Sequence, residues 1–396
     1  MDEDQFTEYS SQSWFGRIMQ SIKGVAVGFL LIIVSIGLLA WNENRSVVTA
    51  RSLGEGSKVV IPVSPEKVDP SNQSKLIHVS GDASASGNLS DPIFQVTAPA
   101  LRLTRKAEMY QWKEEKHEET EKKFGGGTQT RTTYSYSKTW SDSVVDSSNF
   151  KKQDGHRNPS SMEAEGETKY AENATLGAFK LPVSVLSLMK GDAPLAPTEA
   201  DLAKLPERIK GKAKINNNFI YLGADSGDPK VGDERISFTI VKPGTYSILA
   251  RQTGDTLEPY LAKAGGQILR VESGTVSADT MFQNAAKENA FLAWVLRLVG
   301  FIVMSIGIGM IAGPIVVFAD VIPFVGNFLG AGVFMVAVGL GFVGSLVTIA
   351  VAWIAVRPLL GVALLVVAGG ALFMAYRRGQ SKVATIKAAK AGAVPA

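Results

Sequence analysis

A chain of 396 residues with 45% hydrophobic content is long enough for two or three folding units, and a formal net charge of +4 is too small to argue for nucleic acid. Cysteine is absent, which excludes disulfides, thiolate metal sites and a cysteine nucleophile together. A large domain outside the cytoplasm would then rest on its own core, a condition that suits a bacterial envelope protein better than a secreted eukaryotic one.

Trp14, Phe15, Ile18, Met19 and Ile22 recur at helical spacing with Arg17, Gln20 and Ser21 between them. They read either as a short interfacial helix or as an extension of the helix that follows. That helix is the run GVAVGFLLIIVSIGLLAW, residues 24–41, which carries no charge. At helical rise it covers about 27 Å, close to a bilayer core. Its length, and an ending in Trp41, Asn42 and Glu43 in place of a small-x-small cleavage site, favour an uncleaved anchor over a signal peptide.

The polar stretch from about Asn44 to Asn289 carries strand signals at both ends. KVVIPV, KLIHVSGDASAS, IFQVTAPALRLTRKAEMYQW, RISFTIVKPGTYSILARQ and GQILRVESG are rich in β-branched and aromatic residues and are bounded by Gly, Pro, Asp and Asn. KYAENATLGAFKLPVSVLSLMK and EADLAKLPERIK read as short helices, so the class is mostly β, or α+β. Tyr110 and Trp112 share one face of a strand, and Tyr134, Tyr136 and Trp140 share one parity farther on. The two sets can pair as a cross-strand cluster in a long hairpin, whose charged tip KEEKHEETEKKFGGG is also a candidate partner-binding arm. The segments beginning LIHVSGDAS and FIYLGADSG share an order of strand, loop and strand, which either two related subdomains or chance would produce.

From Phe291 to Tyr376 the only ionisable groups are Arg297, Asp320 and Arg357. Three spans fit the breaks, at about 292–318, 325–356 and 359–376, with turns at Asp320–Pro323 and Arg357–Pro358. The basic tail, with Arg377, Arg378, Lys382, Lys387 and Lys390, places the C-terminus in the cytoplasm. Four spans then put residues 1–23 there too, with the polar domain on the far side. Arg45, Arg51 and Lys58 after the first helix argue the other way, and the tail is given the greater weight. The expected architecture is thus an integral membrane protein of four transmembrane α-helices, one N-terminal and three C-terminal, with a large mostly β extracytoplasmic domain at 42–290.

Asp320 and Arg357, at predicted membrane turns, are candidate polar residues; at the turns both would reach water, and a re-entrant middle segment would instead draw Asp320 into a polar path. Gly309, Gly313, Gly326 and Gly330, like Gly24 and Gly28, stand one turn apart and predict close helix packing. His78, His117 and His156 have no partner at metal-ligand spacing, and no metalloprotease, P-loop, nucleophile-elbow or dinucleotide motif is present. His156, with Asp154, Arg157 and Asn158, reads as a turn whose side chains satisfy backbone groups, or as a polar binding loop. No cofactor, metal or enzymatic activity is expected.

AEMYQWKEE, TTYSYSKTWSD, SSNF, GHRNPSSM, VGDERISF and ILARQTGDTLEPY, followed by the terminal apolar segments, resemble the transmembrane protein 43 family, also called LUMA. The resemblance runs from about Glu43 to Arg378. It implies four membrane spans and a large lumenal loop, and residence in the endoplasmic reticulum or inner nuclear envelope in animals or the inner membrane in bacteria. It also implies a role in organising membrane protein complexes by self-association, with a channel as the proposed alternative, and supplies no catalytic residues. The expected partners are lipid, other membrane proteins and copies of the same chain.

Overall fold

Ser13 opens the first long helix: its carbonyl accepts from the Arg17 amide (2.9 Å) and its hydroxyl from the Gly16 amide (3.2 Å), satisfying donors that a helix start leaves free. The computed structural model describes residues 4–356 together with 362–363, 366–367, 369–370 and 373–374. Helix α1 is Trp14–Val59, α2 is Ala278–Ala319 and α3 is Pro323–Val356. Among the described residues, three helices are long and apolar enough to cross a membrane, within Trp14–Val59, Ala278–Ala319 and Pro323–Ile354. The protein is an integral membrane protein. The expected span at 359–376 and its turn residue Arg357 lie largely outside the described residues.

The residues at 14–22 are the first turns of α1 and form no separate interfacial helix. The helix also outruns its apolar stretch at the other end, where KVVIPV divides into the end of α1 and a short strand at Ile61–Val63. Pro62 disfavours helical backbone in the residue before it, and this sets the break. At α3, Pro323 occupies the first helical position, where a missing N–H costs nothing.

Two compact units share the chain. One holds the residues up to Ser10, Arg51–Glu119 and Thr130–Ala286; the other holds Ser11–Ala50, Thr120–Gln129 and the chain from Lys287 onward. The first unit is mostly strand. Its labelled strands are β1 (Gln5–Gln12), β2 (Arg102–Lys122), β3 (Thr128–Ser141), β4 (Glu234–Val241) and β5 (Gly244–Thr253). An eight-stranded sheet runs β1, β3, β2, β4, Phe219–Leu222, Ala213–Asn216, with Asp192–Leu195 and Glu167–Tyr170 paired off that path. A seven-stranded sheet is built around β5 and Leu76–Ala85, which pair antiparallel with Ile248 opposite Val79.

Strand alternation gives each sheet its core. Leu103, Ala107, Ile220, Ile236 and Phe238 bury one face of the eight-stranded sheet with Phe94, Leu205 and Ile209. In the other sheet Ile77, Val79, Ile248 and Ala250 pack on Phe179, Val185 and Leu186. The opposite parity, Leu76 and Leu249, meets Leu53 from the end of α1 and Met281, Phe282 and Ala285 from the start of α2. Both faces of that sheet are therefore covered.

The structure bears on three further readings of the sequence. KYAENATLGAFKLPVSVLSLMK is mainly strand, at Glu167–Tyr170, Ala174–Leu176 and Phe179–Lys180, with a single helical turn at Val183–Leu186. Its glycine and prolines break any helical period, and Gly177 adopts φ +57° against the Pro65 carbonyl. The apparent internal repeat does not reflect equivalent strands, because Leu76–Ala85 lies in the seven-stranded sheet and Phe219–Leu222 in the eight-stranded one. Finally β1, in the segment that precedes the first long helix, is an edge strand of the eight-stranded sheet.

Candidate functional site

The aromatic residues singled out in the hairpin of β2 and β3 are engaged within the chain. Tyr110 packs on Trp140 with centroids 5.2 Å apart, and Arg235 lies 4.6 Å over the Trp140 ring. Trp112 and Tyr136 both meet His156, at 4.6 and 4.1 Å, the latter stacked. Tyr134 meets Phe6 of β1 and donates to Glu8 (3.0 Å). His156 is 3% exposed, with Nδ1 near the Lys152 carbonyl (3.2 Å) and Nε2 near Asp4 (3.3 Å). Asn158 completes the turn by pairing with both the amide and the carbonyl of Trp112 (2.8 and 2.9 Å), as a neighbouring strand would. Burial, and then the Glu114 carboxylate that accepts its hydroxyl at 2.7 Å, push the Tyr136 phenol up to about 12.

Glu234, 3% exposed, accepts the Glu163 amide at 2.7 Å. Burial raises its carboxyl above the ordinary carboxylate range. Because the folded chain holds this proton more tightly than the unfolded one, its contribution is most favourable at low pH and falls as pH rises through the raised value. Glu234→Gln is expected to remove that slope: thermal unfolding should show the variant gaining on the parent from pH 4 towards pH 7.

The helical unit carries its charges at two ends. At one end Asp320, fully buried where α2 turns into α3, is ion-paired with Arg17 and accepts Lys122 Nζ at 2.6 Å. Lys122 also donates to Asn327 (2.8 Å), and Arg17 donates to the Gly126 carbonyl (2.6 Å). The hairpin tip is fixed here by its glycines. Gly125 and Gly126 have φ of +88° and +79°, the Gly125 amide donates to the Val321 carbonyl (3.1 Å), and a Cβ on Gly126 would lie 2.2 Å from Trp14. Trp14 in turn donates to the Val317 carbonyl at 3.0 Å.

At the other end Glu43, 1% exposed, accepts both Nε and Nη2 of Arg297, at 2.7 and 2.8 Å, and is also bonded by the Trp353 indole. The Arg297 guanidinium lies 4.8 Å from the Trp294 centroid and 5.6 Å from that of Trp353. Asn42 donates to the Ala293 carbonyl (3.0 Å) and Arg45 to Asn289 (3.1 Å). Counted along the helices, the two charged clusters stand about 39 Å apart on α1 and about 35 Å apart on α2. This separation matches a hydrocarbon core of about 30 Å with part of each interface. Between them Leu39, Met304 and Ile349 form an apolar cluster, and Ser35 donates to the Gly300 carbonyl (2.7 Å).

Small residues divide into two kinds. Gly28 and Gly307 are true contact points, since a Cβ on either would lie 2.6 or 2.8 Å from the other's carbonyl. Gly341 similarly meets Ser305. Of the predicted packing residues, Gly326 makes room for Asp320 itself: a Cβ there would stand 1.8 Å from its Oδ1 and 2.8 Å from its Cα. Gly309 and Gly330 are in ordinary contact only, and a Cβ on Gly313 would meet nothing within 4 Å. Gly309, Gly313 and Gly330 line a hollow of about 640 Å³ with Arg17, Lys122 and Asp320 at one margin.

Asp320 does not reach water as a turn residue was expected to. In the sequence Glu43 stands only at the end of an apolar run, and Arg297 only as one of three ionisable groups in the C-terminal apolar region. A lone acid just past one apolar stretch and a lone base within another, both beside tryptophan, was the available signal. Because the chain has no native cysteine, Gly125→Cys with Val321→Cys tests the docked tip directly. Oxidation in intact membranes is expected to give an intramolecular disulfide in most of the protein, read as a gel shift reversed by reductant.

The chain matches the family model described as Transmembrane protein 43 over residues 109–358. It is 33% identical over 360 residues to transmembrane protein 43 of Rattus norvegicus, covering 87% of each chain. It is 32% identical over 368 residues to that of Homo sapiens, covering 88% of this chain and 89% of the relative. To the transmembrane protein 43 homolog of Drosophila melanogaster it is 28% identical over 365 residues, covering 89% and 93%. No solved structure matches.

Proposed function

This chain belongs to the transmembrane protein 43 family, and from that premise we propose that it is a non-enzymatic multi-pass scaffold that organises membrane protein complexes through its mostly β domain and through self-association. The observation that carries this reading over a channel is the state of Asp320. An acid that serves an ion path faces water along that path, whereas Asp320 is fully buried, neutralised by Arg17 and Lys122, and bordered by a hollow whose remaining lining is nearly all apolar. Its charge holds helix ends and a hairpin together.

The proposal includes a fourth span at about 359–376 and a cytoplasmic basic tail, with the Asp320 end and the hairpin tip bound to it on the tail's face. Residence would be the inner membrane in a bacterium, and the endoplasmic reticulum or inner nuclear membrane in an animal cell. Purified protein in planar bilayers and mass measurement in detergent test it together. A stable oligomer without current supports the scaffold; reproducible currents that vanish on Asp320→Asn would replace it with a channel.

A further inference from the structure

A second hollow, of about 510 Å³, lies on the other side of α2, bounded by Gln20, Lys23, Gly24 and Val27 of α1 and by Met310, Gly313 and Val317 of α2. It shares Arg17, Gly313 and Val317 with the first hollow, which α2 and α3 enclose through Ser305, Gly309, Gly330 and Phe334. Two apolar troughs therefore flank one helix and converge on one guanidinium. Each is within the range of about 300–1,000 Å³ that small-molecule sites occupy. Gly313 divides them, and its missing side chain leaves open space where packing would place a contact. Arg17 borders both hollows, Lys122 and Asp320 border the first and Lys23 the second, so three cations stand against one carboxylate.

We propose that the two hollows and their basic margin form a binding site for one anionic diacyl phospholipid, an acyl chain on each side of α2 at Gly313 and the headgroup phosphate at Arg17, Lys23 and Lys122. Two troughs meeting at one cation suit a lipid with two chains, where a free fatty acid would fill one. The excess of positive charge selects an anionic headgroup over a zwitterionic one, and the margin's place at the end of the apolar band puts it at headgroup depth.

Native mass spectrometry of the full-length protein, delipidated in detergent and titrated with phosphatidylglycerol, phosphatidylcholine or oleate, tests the site. Phosphatidylglycerol should be retained roughly tenfold more tightly than phosphatidylcholine, and Lys23→Gln, on the exposed side of the margin, should cut that preference about fivefold. Gly313→Phe starts from a Cβ that meets nothing within 4 Å and sets a ring where the two troughs meet, so it should abolish retention of either phospholipid while leaving the thermal midpoint unchanged. Equal retention of the two phospholipids overturns the proposal, as does retention that survives Gly313→Phe. Oleate held as tightly as phosphatidylglycerol would make this a fatty-acid site. Absence of any retained lipid overturns the proposal as well.

Discussion

Asp320→Ala is expected to be among the most damaging single substitutions in the helical unit. Removing the carboxylate leaves Arg17 and Lys122, whose side chains are only 13% and 28% exposed, facing each other with no counter-charge. Breaking a buried ion pair by removing one partner costs about 3–5 kcal/mol, most of it from the charge left behind. Thermal unfolding in detergent should show a correspondingly large drop, and the Gly125–Val321 cross-link should fall with it, because the tip loses the group that Lys122 holds. Gly326→Ala should reproduce much of this defect from the other side, by driving a methyl group into the carboxylate. The two substitutions share one cause, so the double variant should be little worse than Asp320→Ala alone. Full additivity would mean that Gly326 serves something other than the seat of Asp320.

How much of this was readable in the sequence differs by the kind of interaction. Apolar length located α1, α2 and α3, because a bilayer demands it residue by residue. Alternation found Leu76–Ala85, β2, β4 and β5, whose cores obey it. The helical overhangs at Trp14 and Val59 were less legible, since polar flanks do not reveal whether a helix continues through them. Asp320 stood out as a charge among apolar residues, yet its partners did not. Arg17 looks like an ordinary basic flank, and Lys122 is one charge among many in KEEKHEETEKK. Gly326 was found by its spacing, but the reason is a carboxylate's volume.

The opposite end gives the second large effect. Glu43→Gln keeps the shape of the side chain and one acceptor but removes the charge, leaving Arg297, 17% exposed, stacked between two indoles with no anion. A loss of about 3–5 kcal/mol is again expected, read as a lower midpoint in detergent. Arg297→Lys tests the geometry separately from the charge. A lysine can reach the carboxylate with one donor but cannot bond both oxygens from a planar fork or lie flat on Trp294 and Trp353. A smaller yet clear loss is therefore expected, with Trp353 fluorescence shifted as its indole neighbour changes. If Arg297→Lys matched the parent, charge alone would hold this end, and the bidentate pairing with Glu43 would contribute nothing to the joining of α1, α2 and α3. The arrangement argues otherwise. Glu43 binds Arg297 on α2 and Trp353 on α3 from a position on α1, so one carboxylate ties three helices at the depth where apolar packing gives way to the interface.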